Sequence, residues 1–297
     1  MNQRKSVAMV LGAGALWGLI SLFARGLSAC GLGALQTVCY RNLLAALLLG
    51  VFLAVRQPKL LKIQLRDCWM FVGTGIISIL LFNFCYFFTL DHVSVAVASL
   101  LLYTSPVFVT VLAFLLFHEP FTARKGVALC LTVLGCACVT GVFSQAQAVP
   151  VLYVITGLGS GLFYGLYSIF GKAALKKYPT ETVTFYTFVF AAVATLPVSL
   201  RACVIVTAQH PQALLLGLGF AFLCTVLPFQ LYTRGLAGVT AGQAAIFATV
   251  EPLVGTLVGI FVFGDTMSFW TVAGIALVLL SIWLMNRPAG QREICHE

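Results

Sequence analysis

The chain has 297 residues, 61% hydrophobic and 8% charged, with a formal net charge of +9 and a mean hydropathy of +1.05. A soluble globular domain carries about a quarter charged residues, so this composition excludes one and makes lipid the surroundings.

A helix needs about 20 apolar residues to cross the hydrocarbon core. The apolar runs predict ten such spans, and with them an all-α integral membrane protein. The first, 6–27, follows a basic start and carries Trp17 among Gly14, Gly18 and Ser21, broadly on one helical face. Its end, Leu27-Ser-Ala-Cys30, matches a lipoprotein cleavage box, but Arg25 stands just before the box and the segment recurs as the sixth span, so the span is read as retained. The second, 34–55, holds Arg41 about 10 Å deep at ~1.5 Å rise per residue. In the third, 68–90, Asn83 and Tyr86 share a face; in the fourth, 94–117, Ser99 and Tyr103 do, followed by Pro106. The fifth, 124–143, is joined through Ser144 to Pro150 to the sixth, 150–172, where Tyr164 lies among Ser160, Gly161, Gly165 and Ser168. The seventh, 182–201, carries no singled-out polar group. The eighth, 212–234, carries Gln230 beside Tyr232, and the ninth, 239–263, carries Gln243, Glu251 and Pro252. The tenth is 267–286.

Ten spans return both termini to one side. Fourteen Lys and Arg residues fall on that side and only Arg25 and Arg201 on the other, with Arg41 inside a span. By the positive-inside rule both termini are cytoplasmic, and the net charge reflects topology rather than nucleic-acid binding.

The halves repeat. A shift of 147 lays Gly14 to Phe23 on Gly161 to Phe170, and a shift of 146 lays Leu90 to Val139 on Leu236 to Met285 without a gap. Residues 1–145 and 146–297 thus read as two five-helix repeats. Five spans per copy is odd, so the second copy must be inverted, with Glu119 facing the cytoplasm and its counterpart Asp265 the outside.

Two ionisable groups sit within lipid depth, where charge is costly. Arg41 reads either as a side chain snorkelling to the outer headgroups or as a partner for a substrate carboxylate or a gating ion pair. Glu251 is too deep to snorkel, which leaves binding, proton exchange or an interhelical hydrogen bond. Pro106 and Pro252 occupy equivalent positions and predict paired helix bends that free backbone carbonyls. Trp17 and Tyr164 are likewise equivalent, in mid-span rather than in an interfacial belt. The remaining polar residues suit either a mostly apolar cavity for a small metabolite or ordinary interhelical hydrogen bonds.

Other chemistries lack their residues. The ten cysteines form no Cys-x-x-Cys and read as packing residues. Gly157-Leu-Gly159-Ser-Gly161 has neither the spacing nor the setting of a dinucleotide loop. Asp67, Asp91, Glu119, Glu181, Glu251 and Asp265 are scattered, and the four histidines have no metal-ligand spacing, so no metal, cofactor or enzymatic function is expected.

The tail of each repeat is a proline, then an acid 13 positions on at the helix end, then a glycine-bearing apolar span: Pro106, Glu119, Gly126 and Gly135, and Pro252, Asp265 and Gly274. This layout resembles the drug/metabolite transporter superfamily, specifically its ten-helix EamA-type members, although Asp265 stands where such proteins usually carry Glu. The resemblance implies alternating access around a cavity lined mainly by spans 1, 3, 4, 6, 8 and 9, with export of amino acids or other small metabolites from a bacterial inner membrane. Trp17, Arg41, Asn83, Tyr86, Ser99, Tyr103, Tyr164, Gln230, Gln243 and Glu251 are the candidate substrate contacts. Cationic drug efflux is the nearest alternative, with Glu251 as counter-charge; a passive channel or an integral membrane enzyme would be a different class. Small molecule and lipid bilayer are the expected partners, and a monomer or a homodimer would serve.

Overall fold

A computed structural model describes residues 2–142 and 149–287. The repeat boundary at 145–146 and Arg292 lie outside the described residues. Ten helices long and apolar enough to cross a membrane follow one another: α1 Gln3–Ala29, α2 Ala34–Arg56, α3 Leu65–Leu90, α4 Val95–Phe117, α5 Ala123–Thr140, α6 Val151–Ala174, α7 Thr180–Gln209, α8 Pro211–Leu236, α9 Ala241–Phe263 and α10 Phe269–Asn286. The protein is an all-α, multi-pass membrane protein. The largest departure from the expected spans is α7, which runs eight residues past 201. Its Pro197 is accommodated inside the helix, and Arg201 is exposed, so neither ends it.

Apolar side chains cover the outside as well as the core, with Phe261, Phe269 and Leu215 each at least 75% exposed. That surface is stable only against lipid tails. Inside, small residues and hydroxyls bring helices together, as packing in lipid requires. Thr74 and Thr187 bond across α3 and α7 at 2.6 Å, and Thr132 and Ser281 across α5 and α10 at 2.7 Å.

The packing follows the repeat. α1 lies against α8 and α9, and α6 against α3 and α4, while α2 pairs with α7 and α5 with α10. A Cβ at Gly14 would stand 2.7 Å from the Ala248 carbonyl oxygen; at Gly161, 147 residues on, it would stand 3.1 Å from that of Leu102, the repeat counterpart of Ala248.

The α5–α10 contact rests on two facing glycines. A Cβ on Gly135 would come 3.0 Å from the Gly274 carbonyl oxygen, and one on Gly274 would come 2.6 Å from that of Gly135. Backbone cannot yield as a side chain tip can, so Gly274→Val is expected to cost about 1–3 kcal/mol by overpacking. A lowered thermal midpoint in detergent checks it; an unchanged midpoint would mean the pair slides apart freely.

Five spans depart from a straight helix. α1 breaks at Gly18 and Leu19, between Gln3–Trp17 and Ile20–Ala29. α4 breaks after Leu102 and restarts at Ser105, with Pro106 in the new first turn, and α9 breaks at Thr249, just before Glu251 and Pro252. Proline fits a first helical turn because no intrahelical acceptor awaits its missing N–H. α3 and α8 widen to π-helical turns at Gly73–Leu80 and Phe222–Val226. Such turns leave backbone and side chains offset from the regular ladder, often beside functional sites.

Candidate functional site

Residues beside the breaks in α1, α4 and α9, with Phe220 of α8, surround a cavity of about 400 Å³. It reaches the face opposite Gln3 and Arg287 at the turn joining α1 to α2, where Ser28, Leu32 and Ala34 form its rim. That face is called the far face below, and the one carrying Gln3 and Arg287 the near face. Aromatic rings make up much of the wall, from Phe82, Tyr86 and Phe87 of α3, Tyr103 of α4 and Phe220 of α8.

Two opposite charges meet this apolar wall. Arg41 is 7% exposed, its Nε has no hydrogen-bond partner, and its guanidinium carbon lies 5.5 Å from the Phe220 ring centre. Glu251 sits in the first turn of the second segment of α9, the end of a helix that favours negative charge. Its Oε2 accepts a hydrogen bond of 3.0 Å from the Tyr164 hydroxyl. Arg41 and Glu251 do not form an ion pair with each other; both instead line the cavity. A buried guanidinium with no hydrogen-bond or ion-pair partner among the described residues is costly and offers its donors to whatever enters.

Most of the remaining candidates gather here too. Tyr86 and Tyr103 line the cavity, and Ser99 holds the Tyr86 hydroxyl at 3.3 Å. Asn83 reaches the wall but donates its amide to the Ile79 carbonyl of its own helix at 2.7 Å. Trp17 and Tyr164 lie beneath, around a smaller chamber of about 40 Å³. There Trp17 packs on Phe229, Tyr232 and Tyr164 at 5.1, 5.4 and 6.3 Å between ring centres. Tyr167 joins this cluster, its ring centre 5.0 Å from that of Phe229.

Gln230 and Gln243 lie elsewhere. Gln230 donates to the Thr184 hydroxyl at 2.5 Å between α8 and α7, and Gln243 closes a capping box with Thr240 at the near-face end of α9. These bonds serve a helix pair and a helix end. Pro106 and Pro252 are at the bends, with the Pro106 and Pro252 carbonyls taken by Thr110 and Thr256 hydroxyls.

Sequence reasoning missed three features. α2 contributes Ala34, Thr37 and Val38 beside Arg41, so the cavity uses a span outside the set the resemblance implied. Phe82 and Phe220 gave no polar signal. Arg25 stands at the cavity mouth, 3.7 Å from the Phe263 ring centre, and was visible only as an exception in the charge count.

The near face is closed by charge. Glu119, 7% exposed, accepts from Lys172 Nζ at 2.6 Å and from the Ala241 backbone N–H at 2.9 Å, with Lys125 Nζ at 3.9 Å. This ties the end of α4 to α6 and to the start of α9. Burial alone would raise the Glu119 carboxyl, but the Lys172 bond, the Ala241 N–H and the two ammonium charges outweigh it and hold it below the usual carboxylate range. A carboxyl lowered in the closed form stabilises closure above the ordinary glutamate value of about 4.3, and that stabilisation drains away as pH falls from there through its own lowered value. The thermal midpoint should therefore drop on acidification below that value, and Glu119→Gln should flatten the drop. An equally steep fall in the variant would assign the acid sensitivity to another group.

Residues 4–141 and 151–287 each match the EamA-like transporter family. A protein of Archaeoglobus fulgidus described as an uncharacterized transporter is 30% identical over 284 residues, 94% of this chain and 95% of that one. A pseudopaline exporter of Pseudomonas aeruginosa is 23% identical over 86% of this chain and 87% of its own length. A crystal structure 14% identical in sequence superimposes with a TM-score of 0.78 over 96% of this chain and 97% of the other, which shows a shared fold. The chain therefore belongs to the EamA-like transporter family, within the drug/metabolite transporter superfamily, and is a membrane transporter of a small molecule.

Proposed function

We propose that this transporter is a secondary exporter of amino acids or other small metabolites across a bacterial inner membrane, working by alternating access with both termini cytoplasmic. The observation that carries the reading is a pair of oppositely ionisable side chains, Arg41 and Glu251, that line one aromatic-walled cavity without pairing with each other. A cavity of about 400 Å³ suits a solute of metabolite size. Arg41 supplies a carboxylate anchor, Glu251 an ammonium or proton partner, and the rings cover the apolar remainder. The packed rings at Trp17, the Glu119 contacts and a cavity reaching the far face support reading this conformation as outward-open.

The positive-inside count supports cytoplasmic termini. Two halves related by inversion are supported by the contact pairs that recur at the repeat offset. The site residues of the proposal are Arg41, Glu251 and Tyr164, with Trp17, Asn83, Tyr86, Ser99 and Tyr103 shaping the walls.

Proteoliposomes loaded with mixed amino acids, other metabolites and cationic dyes test it. Selective release of zwitterionic or anionic metabolites supports export of this class. Release of dyes alone would move the assignment to cationic drug efflux, and release of every solute alike would make the protein a channel.

A further inference from the structure

Every element of the near-face closure has a counterpart at the repeat offset, and on the far face those counterparts are apart. Glu119 corresponds to Asp265, Lys172 to Arg25, and Ala241, whose N–H caps the Glu119 carboxylate, to Val95. The local geometry corresponds as well. His118 and Gly264 both adopt left-handed backbone, at φ 54° and 75°, and the following acid turns its N–H back onto the helix, Glu119 to Ala113 O at 3.2 Å and Asp265 to Gly259 O at 3.1 Å. Lys172 lies 6.0 Å from the Phe117 ring centre, and Arg25 lies 3.7 Å from that of Phe263, the counterpart of Phe117. Ser94 caps α4 by accepting from Val97 N–H, as Thr240 caps α9 by accepting from Gln243 N–H.

Only the closing contacts differ. Among the described residues Asp265 makes no hydrogen bond or ion pair through its side chain, and it, Arg25 and Val95 are all exposed. Arg25 stands beside the mouth of the cavity that its partner acid would seal.

We propose that Arg25 and Asp265 are the positioning residues that close the far face: Asp265 pairs with the Arg25 guanidinium and accepts the Val95 N–H, as Glu119 now does with Lys172 and Ala241. On the alternating-access reading only one closure forms at a time, and α4 and α9 each carry one acid at one end and one N–H donor at the other. They are also unequal. Glu119 has a second cation in Lys125, whereas the counterpart of Lys125 is Thr271, which carries no charge. The near-face closure is therefore the stronger, and the far-face-open form is the resting one.

The proposal rests on the alternating-access reading, and the test separates the two. Ser28, exposed on the rim, is changed to Cys and its labelling by a membrane-impermeant maleimide is followed in proteoliposomes, resolved from the buried Cys30 by fragment mass. Glu119→Gln, or Lys172→Gln should the first not fold, weakens the near-face closure and should lower the labelling rate about fivefold as the far face shuts. Asp265→Asn added to that variant should restore the parent rate, and Arg25→Gln should do the same. Slow labelling that persists in both double variants would overturn the roles of Arg25 and Asp265 while leaving alternation intact. No slowing in either near-face variant would remove the second state, and with it both the proposal and the alternating-access reading.

Discussion

Arg41→Gln is expected to raise the half-saturating concentration of an anionic or zwitterionic substrate by at least about thirtyfold, the effect of losing ~2–5 kcal/mol when one partner of a buried charge pair is truncated. The guanidinium is nearly fully buried, and neither a carboxylate nor a backbone carbonyl among the described residues satisfies it. Its desolvation cost is already met by the fold, so an entering carboxylate gains the charge-assisted bonds in full. The thermal midpoint should hold or rise in the variant, since removing an unpaired buried charge relieves the empty protein. Flux assays over a range of substrate concentrations, with the midpoint alongside, decide it. An unchanged half-saturating concentration would leave Arg41 as packing against Phe220.

The second large effect falls on coupling. With one proton moved per substrate, each unit of pH gradient supplies about 1.4 kcal/mol, a tenfold concentration ratio. Glu251→Gln removes the group that would carry the proton but keeps an oxygen to accept the Tyr164 hydroxyl, so the cavity should keep its shape. Proteoliposomes with the variant should release substrate down its own gradient and lose the whole tenfold gain per pH unit. Tyr164→Phe should keep the gain, because the carboxylate remains. Gradient dependence surviving in Glu251→Gln would place coupling elsewhere.

The ten spans were legible because one physical term, the cost of charge in lipid, dominates the sequence. The cavity was legible in part. Arg41 and Glu251 stood out for the same reason, yet the walls they share are built from phenylalanines whose sequence signal equals that of lipid-facing ones. Phe220 on the wall and Phe261 on the outside differ only in which way the helix turns. Gln230 and Gln243 show the converse, since a polar residue in a span is as well explained by Thr184 or by a helix cap as by a ligand. The break at Gly18 and the wide turns of α3 and α8 had no reliable local marker, because they depend on which neighbour packs there, whereas Pro252 marked the break at Thr249. Part of the near-face contact was within reach: the shift of 146 pairs Glu119 with Asp265, and the shift of 147 pairs Lys172 with Arg25.

The left-handed residue that ends α4 and α9 fixes each acid to its helix like a tooth on a gear. The Glu119 N–H is tied back to Ala113, so the carboxylate's bearing about the helix axis is set by the residues before it and not by the loop after it. One residue inserted between Ser105 and Ala113 would turn that bearing by about 100° and advance it ~1.5 Å. Such an insertion leaves the span's apolar length adequate and its loops untouched, yet it swings Glu119 out of mesh with Ala241. Insertions after Pro120 leave the bearing alone, so tolerance to length should change abruptly across those few residues.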